Sequence, residues 1–121
     1  MKKALAIAGI LALSITPTAS FACDLSGVEI NLSGANLRGR TFIDVNLSGA
    51  NLSSADLSSA SLAHAALSDA NLRNANLSYA FLRGANLTSA ELTGINATNL
   101  RACPTSFPSG WVCQNNSLIR R

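Results

Sequence analysis

The stretch SGANLSSADLSSASL, residues Ser48 to Leu62, repeats a pattern of five residues. Leu52, Leu57 and Leu62 each stand two places after an alanine. A β-strand alternates its faces every two residues and a helix turns about every 3.6, so a period of five suits neither. The leucines share one interior only if the chain turns after every unit. Ser, Asn, Asp and Gly at the other positions favour such turns, and the sequence therefore predicts a wound coil.

The five-residue period extends from residue 30 to residue 99, over fourteen units. The first position of each unit is mostly alanine and the second mostly Asn or Asp, while Ala97 holds the third position of the last unit. The other thirteen third positions are large and apolar, and we predict that they form the core: Leu32, Leu37, Phe42, Leu47, Leu52, Leu57, Leu62, Leu67, Leu72, Leu77, Leu82, Leu87 and Leu92.

Units such as ANLRG, ADLSS, ANLSY and ANLTS resemble those of the pentapeptide repeat family. The resemblance covers residues 30–99, with a looser start at CDLSG. It implies an all-β fold, a right-handed quadrilateral β-helix with four units to a coil and the Leu and Ala positions inside. Fourteen units would then give about three and a half coils, a rod roughly 17 Å long at a strand spacing of about 4.8 Å. Because each coil contacts only its neighbours, the ends of such a solenoid need covering.

Residues 1–22 have the features of an export signal. Lys2 and Lys3 precede an apolar run from Ala4 to Ile15, and Ser20 and Ala22 are the small residues before a cleavage site. The run is shorter than the roughly 20 residues that span a bilayer, and a buried N-terminal helix is the alternative. We expect a bacterial periplasmic or secreted protein in which residues 23–29 lead into the repeat.

The net charge argues against a nucleic-acid partner. The chain has nine basic and six acidic residues, and loss of Lys2 and Lys3 with the leader leaves a net charge of +1. The one basic run left is Arg120–Arg121. Nucleic-acid binding needs a dense basic patch, which the sequence does not provide.

Three cysteines remain after the leader: Cys23, Cys103 and Cys113. An exported chain meets oxidising conditions, so Cys103 and Cys113 are expected to form a disulfide, although both could be free thiols. Cys23 would be the first mature residue, where a bacterial lipoprotein carries its lipid. The odd cysteine favours lipidation and membrane anchoring, whereas the preceding Ser-Phe-Ala is a poor lipidation sequence; an unmodified Cys23 could instead join two chains.

Residues 100–121 depart from the repeat and are predicted to form a C-terminal cap. Phe107, Trp111, Leu118 and Ile119 are the residues expected to close the core there, and a binding role for Trp111 is the alternative. The N-terminal end has only residues 23–29 to cover it. Because an uncovered β-edge invites pairing with another chain, a dimer through one end of the solenoid is a further hypothesis.

No catalytic, cofactor or metal constellation is evident in the sequence. His64 is the one histidine and has no patterned companions, whereas a metal site needs several converging ligands. The acidic residues are scattered, and the serines lack a base with an orienting partner. We therefore expect a non-enzymatic protein with no cofactor and no small-molecule substrate.

One face of the predicted coil differs from the others. If four units form a coil, the units 40–44, 60–64 and 80–84 stack, and Ile43, Ala63 and Phe81 would point outward beside Asp44, His64 and Arg83. We predict a contact face formed by Ile43, His64, Phe81 and Arg83; the alternative is that scattered apolar surface residues are normal. Arg40 occupies a position that is apolar in the other units, and its stem could be buried while its head reaches water.

Three functions follow from this reading. The first is an exported protein-binding or structural scaffold in the bacterial envelope with an unknown protein partner. The second is the DNA mimicry of relatives that bind DNA gyrase and topoisomerase and protect gyrase from quinolones; those relatives are acidic, longer and cytoplasmic, unlike this chain. The third, a flat ice- or crystal-binding face, needs a regular threonine array that the fourth positions lack.

Overall fold

The computed structural model describes residues 4–5 and 29–121. Four short strands are present: β1 (Ala4–Leu5), β2 (Glu29–Ile30), β3 (Trp111–Gln114) and β4 (Ser117–Arg120). β1 pairs with β2 in parallel, and β3 pairs with β4 in an antiparallel hairpin. Between β2 and β3 the chain is a ladder of parallel β-bridges, one for each five-residue unit.

The bridges join residues that are twenty apart, so the chain completes one coil every four units. Asn31 pairs with Asn51, and the three following bridges start at Asn36, Thr41 and Asn46. Each coil therefore has four sides, which stack into four lateral faces. The first face contains units 30–34, 50–54, 70–74 and 90–94, the second 35–39, 55–59, 75–79 and 95–99, the third 40–44, 60–64 and 80–84, and the fourth 45–49, 65–69 and 85–89.

Hydrogen bonds between coils pair most of the backbone N–H and C=O groups of the repeat. The N–H groups of Leu32 and Gly34 donate to the carbonyls of Asn51 and Ser53 at 2.7 and 2.8 Å, and the Asn51 N–H donates back to Ile30 at 2.9 Å. Within a unit, the Ala35 N–H donates to the Leu32 carbonyl and closes the corner. This pattern leaves one N–H group in each unit, that of the fourth residue, without a backbone acceptor.

Each corner requires a left-handed residue at the fifth position of the unit. Glycine holds five of these positions, with φ between 70° and 75°, at Gly34, Gly39, Gly49, Gly84 and Gly94. Ser, Asn, Asp, His or Tyr holds the others, with φ between 54° and 62°. Asn and Asp tolerate this region better than most residues, and glycine occupies it without steric penalty.

The core is a column of leucine layers separated by alanine. All thirteen predicted third-position residues are fully buried, from Leu32 to Leu92, and Ala97 is buried after them. First-position alanines such as Ala55 and Ala75 fill the space between the leucines. Arg40 is half-buried at its first position.

The C-terminal hairpin covers the last coil. The Leu118 N–H donates to the Ala97 carbonyl and the Leu100 N–H to the Asn116 carbonyl. The hairpin therefore stacks on unit 95–99, the last unit of the second face. Leu118 enters the core, and Phe107 and Trp111 pack partly buried against it. The prediction for Ile119 was wrong: it is 42% exposed, because adjacent residues of a strand point to opposite sides and Leu118 takes the inner one.

A disulfide between Cys103 and Cys113 ties β3 to the chain after the last repeat, with a Cα–Cα distance of 6.1 Å. In the chain-entropy model, closing such a loop contributes about 3 kcal/mol.

The bridged ladder continues past the end of the five-residue pattern. Phe81 pairs with Ala102 and Asn86 with Ser106, so stacked backbone extends beyond residue 99 into the segment predicted as cap. The first of these pairs spans twenty-one residues rather than twenty. The second spans twenty again, so the extra residue is a local irregularity at Arg101 and Ala102 and the register is restored by Ser106.

At the N-terminal end, Ala4 pairs with Glu29 and Leu5 with Ile30. These two residues are the part of the predicted leader that the structure describes. The cleavage site after Ala22, and Cys23 with its predicted lipidation, lie outside the described residues.

The corners offer a test of steric strain with matched glycines. Gly49 and Gly84 have φ values of 73° and 75°, but a Cβ on Gly49 meets nothing within 4 Å, whereas one on Gly84 would collide with the His64 imidazole. We expect Gly49→Ala to lower the free energy of unfolding by about 1 kcal/mol, the left-handed penalty, and Gly84→Ala to lower it further. Urea denaturation would measure both.

The control removes the imidazole. In a His64→Ala background, Gly84→Ala should cost the same as Gly49→Ala. A Gly84→Ala cost that is equal to that of Gly49→Ala already in the wild-type background would show that the ring moves aside freely.

Candidate functional site: the third lateral face

In most units, a side chain accepts a hydrogen bond from the N–H of the fourth residue, which has no backbone acceptor. The Asn or Asp at the second position accepts a hydrogen bond through Oδ1 from the N–H two residues later, at 2.9–3.2 Å. Eight units contain this bond, with donors Ser33, Arg38, Ser48, Ser53, Ser58, Arg73, Ser78 and Thr88. This Asx turn explains why the second position is Asn or Asp.

The third face lacks this cap in every unit. Its second positions are Thr41, Ser61 and Phe81, none of which supplies an acceptor. Among residues 29–121, the N–H groups of Ile43, Ala63 and Arg83 have no hydrogen-bond acceptor; we call these three groups the amide ladder. On each of the other three faces, at least two of the corresponding N–H groups are capped.

The predicted contact residues share this face but differ in exposure. Ile43 is 46% exposed, and His64 and Arg83 are also exposed, whereas Phe81 is half-buried. Ala63, which was expected to point outward, is only 8% exposed, although it is not among the residues of the hydrophobic core. The stacking places it between Ile43 and Arg83.

Arg101 belongs to this face, although the sequence pattern did not place it there. The Arg101 N–H donates to the Ala80 carbonyl at 2.9 Å, as the Phe81 N–H donates to Ala60, which puts Arg101 at the end of the second-position column of Thr41, Ser61 and Phe81. Its guanidinium carbon lies 5.8 Å from the centre of the Phe81 ring, within cation–π distance. A count of twenty from Phe81 reaches Arg101, but the five-residue motif ends at residue 99, so the pattern gives no reason to extend the face that far.

The third face is the most basic of the four. It has three arginines, Arg40, Arg83 and Arg101, and one carboxylate, Asp44. His64 lies above Gly84, where the absence of a Cβ leaves room for its ring.

Two acidic side chains on the other faces, Asp56 and Glu91, are used within the solenoid. Asp56 Oδ1 accepts hydrogen bonds from the Ser58 hydroxyl at 2.6 Å and the Ser58 N–H at 3.0 Å, and Ser58 is only 4% exposed. These bonds, and secondarily the charge of Arg38, lower the pKa of Asp56 against the opposing effect of desolvation. The Thr93 hydroxyl likewise lowers the pKa of Glu91, with smaller effects of the Thr93 N–H, Arg73 and Arg120 opposed by desolvation.

Within the described part of the chain, no three His, Cys, Asp or Glu side chains converge as metal ligands. The same residues include no helix long and apolar enough to cross a membrane. What the third face offers instead is a set of donors: backbone N–H groups, guanidinium groups and an exposed isoleucine. Such a face can bind a chain that carries acceptors.

The comparisons with known proteins agree with this architecture. The family model of pentapeptide repeats matches residues 30–69 and 65–99, with eight copies. The chain is similar to the pentapeptide repeat protein Rfr23 from the cyanobacterium Cyanothece 51142, with 33% identity and a TM-score of 0.63 over 68% of this chain and 56% of that one. The match thus spans just over half of the length of Rfr23. No protein of curated function matches the chain.

Two further solved structures are similar. The pentapeptide repeat protein alr5209 from Nostoc PCC 7120 is 36% identical, with a TM-score of 0.61 over 69% of this chain and 74% of that one. A pentapeptide repeat protein from the Arabidopsis thaliana thylakoid lumen is 35% identical, with a TM-score of 0.59 over 65% of this chain and 57% of that one.

The Asp56 cap predicts a specific acid sensitivity. Because its pKa is lowered on folding, the carboxylate stabilises the fold fully above its ordinary pKa of 3.8, and this contribution is lost as the pH falls through the lowered pKa. Asp56→Asn keeps the Oδ1 acceptor but does not titrate. We expect the wild type to lose unfolding free energy relative to Asp56→Asn as the pH decreases below 3.8, measured by urea denaturation at several pH values.

Asn76→Asp is the matched control, because Asn76 accepts the same two bonds from Ser78. The added carboxylate should steepen the loss of stability in acid. Parallel curves for the wild type and Asp56→Asn would contradict the assignment.

Proposed function

Because the chain belongs to the pentapeptide repeat family, we propose that it is an exported, non-enzymatic scaffold that binds another protein through its third face. Members of this family are generally non-enzymatic repeat scaffolds. The observation that supports the choice of face is the loss of the Asx cap on all three of its units, together with the exposure of Ile43. Where a local rule is broken repeatedly without compensation inside the fold, a functional reason is expected.

The proposed architecture is a right-handed solenoid of about three and a half coils of repeat. The similarity to pentapeptide repeat structures and the twenty-residue bridge spacing support it. Such a solenoid positions the side chains of one face at fixed heights, about 4.8 Å apart. A partner would therefore meet a rigid surface that loses little conformational entropy on binding.

Export is supported by the leader and by the disulfide. The pair Cys103–Cys113 is typical of chains that fold in oxidising compartments. Cleavage after Ala22 would remove β1 from its pairing with Glu29–Ile30 and leave that edge of the first coil open. Anchoring through a lipidated Cys23 remains the alternative form of the exported protein.

DNA mimicry of the kind that inhibits gyrase is not favoured by any feature of the third face. A DNA mimic needs a surface of regularly spaced carboxylates, whereas this face has three arginines and one aspartate. Most second positions elsewhere are neutral asparagines.

The cellular location of the protein can be tested by measuring the intact mass of the chain isolated from membrane and soluble fractions of its source cell. We expect a chain that begins at Cys23 and is two hydrogens lighter than its fully reduced form, because of the disulfide. An added diacylglycerol mass in the membrane fraction would identify the lipoprotein form. A mass that still includes Met1 would overturn export.

The binding face can be tested by placing a photo-cross-linking amino acid at Ile43 in one chain and at Ser33, exposed on the first face, in another. In the source cell we expect a discrete cross-linked species from position 43 that is absent from position 33. Its abundance should fall when Phe81→Asp is added to the same face. Equal adducts from both positions, or none from position 43, would contradict protein binding through the third face.

A further inference from the structure

The amide ladder points to the chemistry of the partner. We propose that the third face binds an acidic protein segment whose carboxylates take the place of the missing Asn and Asp caps. Its oxygens accept hydrogen bonds from the N–H groups of Ile43, Ala63 and Arg83. This inference rests on the proposed function and specifies which side chains the partner presents to the face.

The geometry of the acceptor is known from the other faces. There an Oδ1 atom of the same chain lies 2.9–3.2 Å from the corresponding nitrogen. A carboxylate of a partner at the equivalent place would make the same bond, and Ser61 is smaller than the asparagine it replaces. The three donors lie on successive coils, about 4.8 Å apart, and side chains on one side of an extended segment recur about every 6.8 Å. Two carboxylates on that side, with two oxygens each, can therefore serve the three donors.

The charges on the face select a carboxylate over a neutral carbonyl. Arg83 and Arg101 are exposed beside the ladder, while Arg40 is half-buried and Asp44 is the one acidic side chain. Bonds from N–H groups and guanidinium groups to an ionised acceptor are shorter and roughly twice as strong as neutral ones. The stacking of Arg101 on Phe81 holds its charge near the end of the ladder.

The apolar residues add a second requirement. Ile43 is 46% exposed at one end of the face and Phe81 is half-buried at the other. Successive side chains of an extended segment point to opposite sides, so an apolar residue contacts Ile43 or Phe81 only at an end of the acidic run. The partner segment is therefore acidic along the ladder and apolar at its ends.

The test uses the chain as isolated from its source cell and a fluorescein-labelled peptide of four Asp-Val pairs. Fluorescence anisotropy should detect saturable binding that weakens as salt is raised, since exposed charges are screened. A peptide with Lys in place of Asp should not bind. Failure of the Asp-Val peptide to bind, or equal binding of the Lys peptide, would overturn the proposal.

A double variant tests the donors. Thr41→Asn with Ser61→Asn introduces the cap found on the other faces, so the Ile43 and Ala63 N–H groups become occupied from within. We expect at least a tenfold loss of affinity for the Asp-Val peptide, with a melting temperature no lower than that of the wild type. Unchanged affinity would show that these N–H groups do not bind the peptide.

The matched control is Ala66→Asn on the fourth face. Ala66 leaves the Ser68 N–H uncapped in the same way, but away from the third face. This variant should retain wild-type affinity, and a similar loss would assign binding to the fourth face and overturn the proposal. In ¹⁵N spectra, the amide resonances of Ile43, Ala63 and Arg83 should shift downfield on peptide addition.

The two proposals can fail separately. A face-specific cross-link from position 43 without binding of the Asp-Val peptide would keep the third face as the binding surface and reject an acidic partner. Loss of both signals would reject both.

Discussion

The structure depends on hydrogen bonds that run between coils. Each repeat unit between residues 30 and 79 donates from its third and fifth N–H groups to the coil that follows and receives one bond from it at its first carbonyl. The partners are twenty residues apart in sequence, so a bond forms only when four units close one coil. The leucine column and the flat faces both follow from this condition, because stacking in register places like positions above one another.

The same condition imposes a conformational cost at every corner. The fifth residue is left-handed in each complete unit of the repeat, and most of these residues are not glycine. A left-handed conformation costs a non-glycine residue about 1 kcal/mol. The burial of a leucine in most units, worth roughly 2 kcal/mol or more, offsets that cost. The repeat is stable because most units combine a buried leucine with a left-handed corner.

The second position shows how local and long-range bonds divide the backbone. The inter-coil ladder leaves the fourth N–H without a partner, and an Asn or Asp two residues earlier supplies one. Where this residue is missing, as on the third face, the spare donor is left to solvent or to a partner. Replacing the capping residue thereby frees a donor while the bridges between coils remain.

The third face also shows where prediction from the repeat pattern ends. Its position on one side of the coil could be anticipated, because residues twenty apart stack. Its uncapped amides could in principle have been found, since the absence of Asn and Asp at residues 41, 61 and 81 is visible in the sequence. Recognising the meaning of that absence required the hydrogen bonds of the other units.

The sequence by itself determined the five-residue period, the family, the buried leucines and the cysteine pair. These features follow from residue type and spacing, which act locally and repeat many times. Only the tertiary structure decided that Ala63 is covered, that Ile119 is exposed and that Arg101 stacks on Phe81. Each of these depends on neighbours in the next coil or strand, and Arg101 reaches Phe81 because the bridged ladder continues past residue 99. The five-residue pattern carries no information about this last coil, because the pattern has already stopped there.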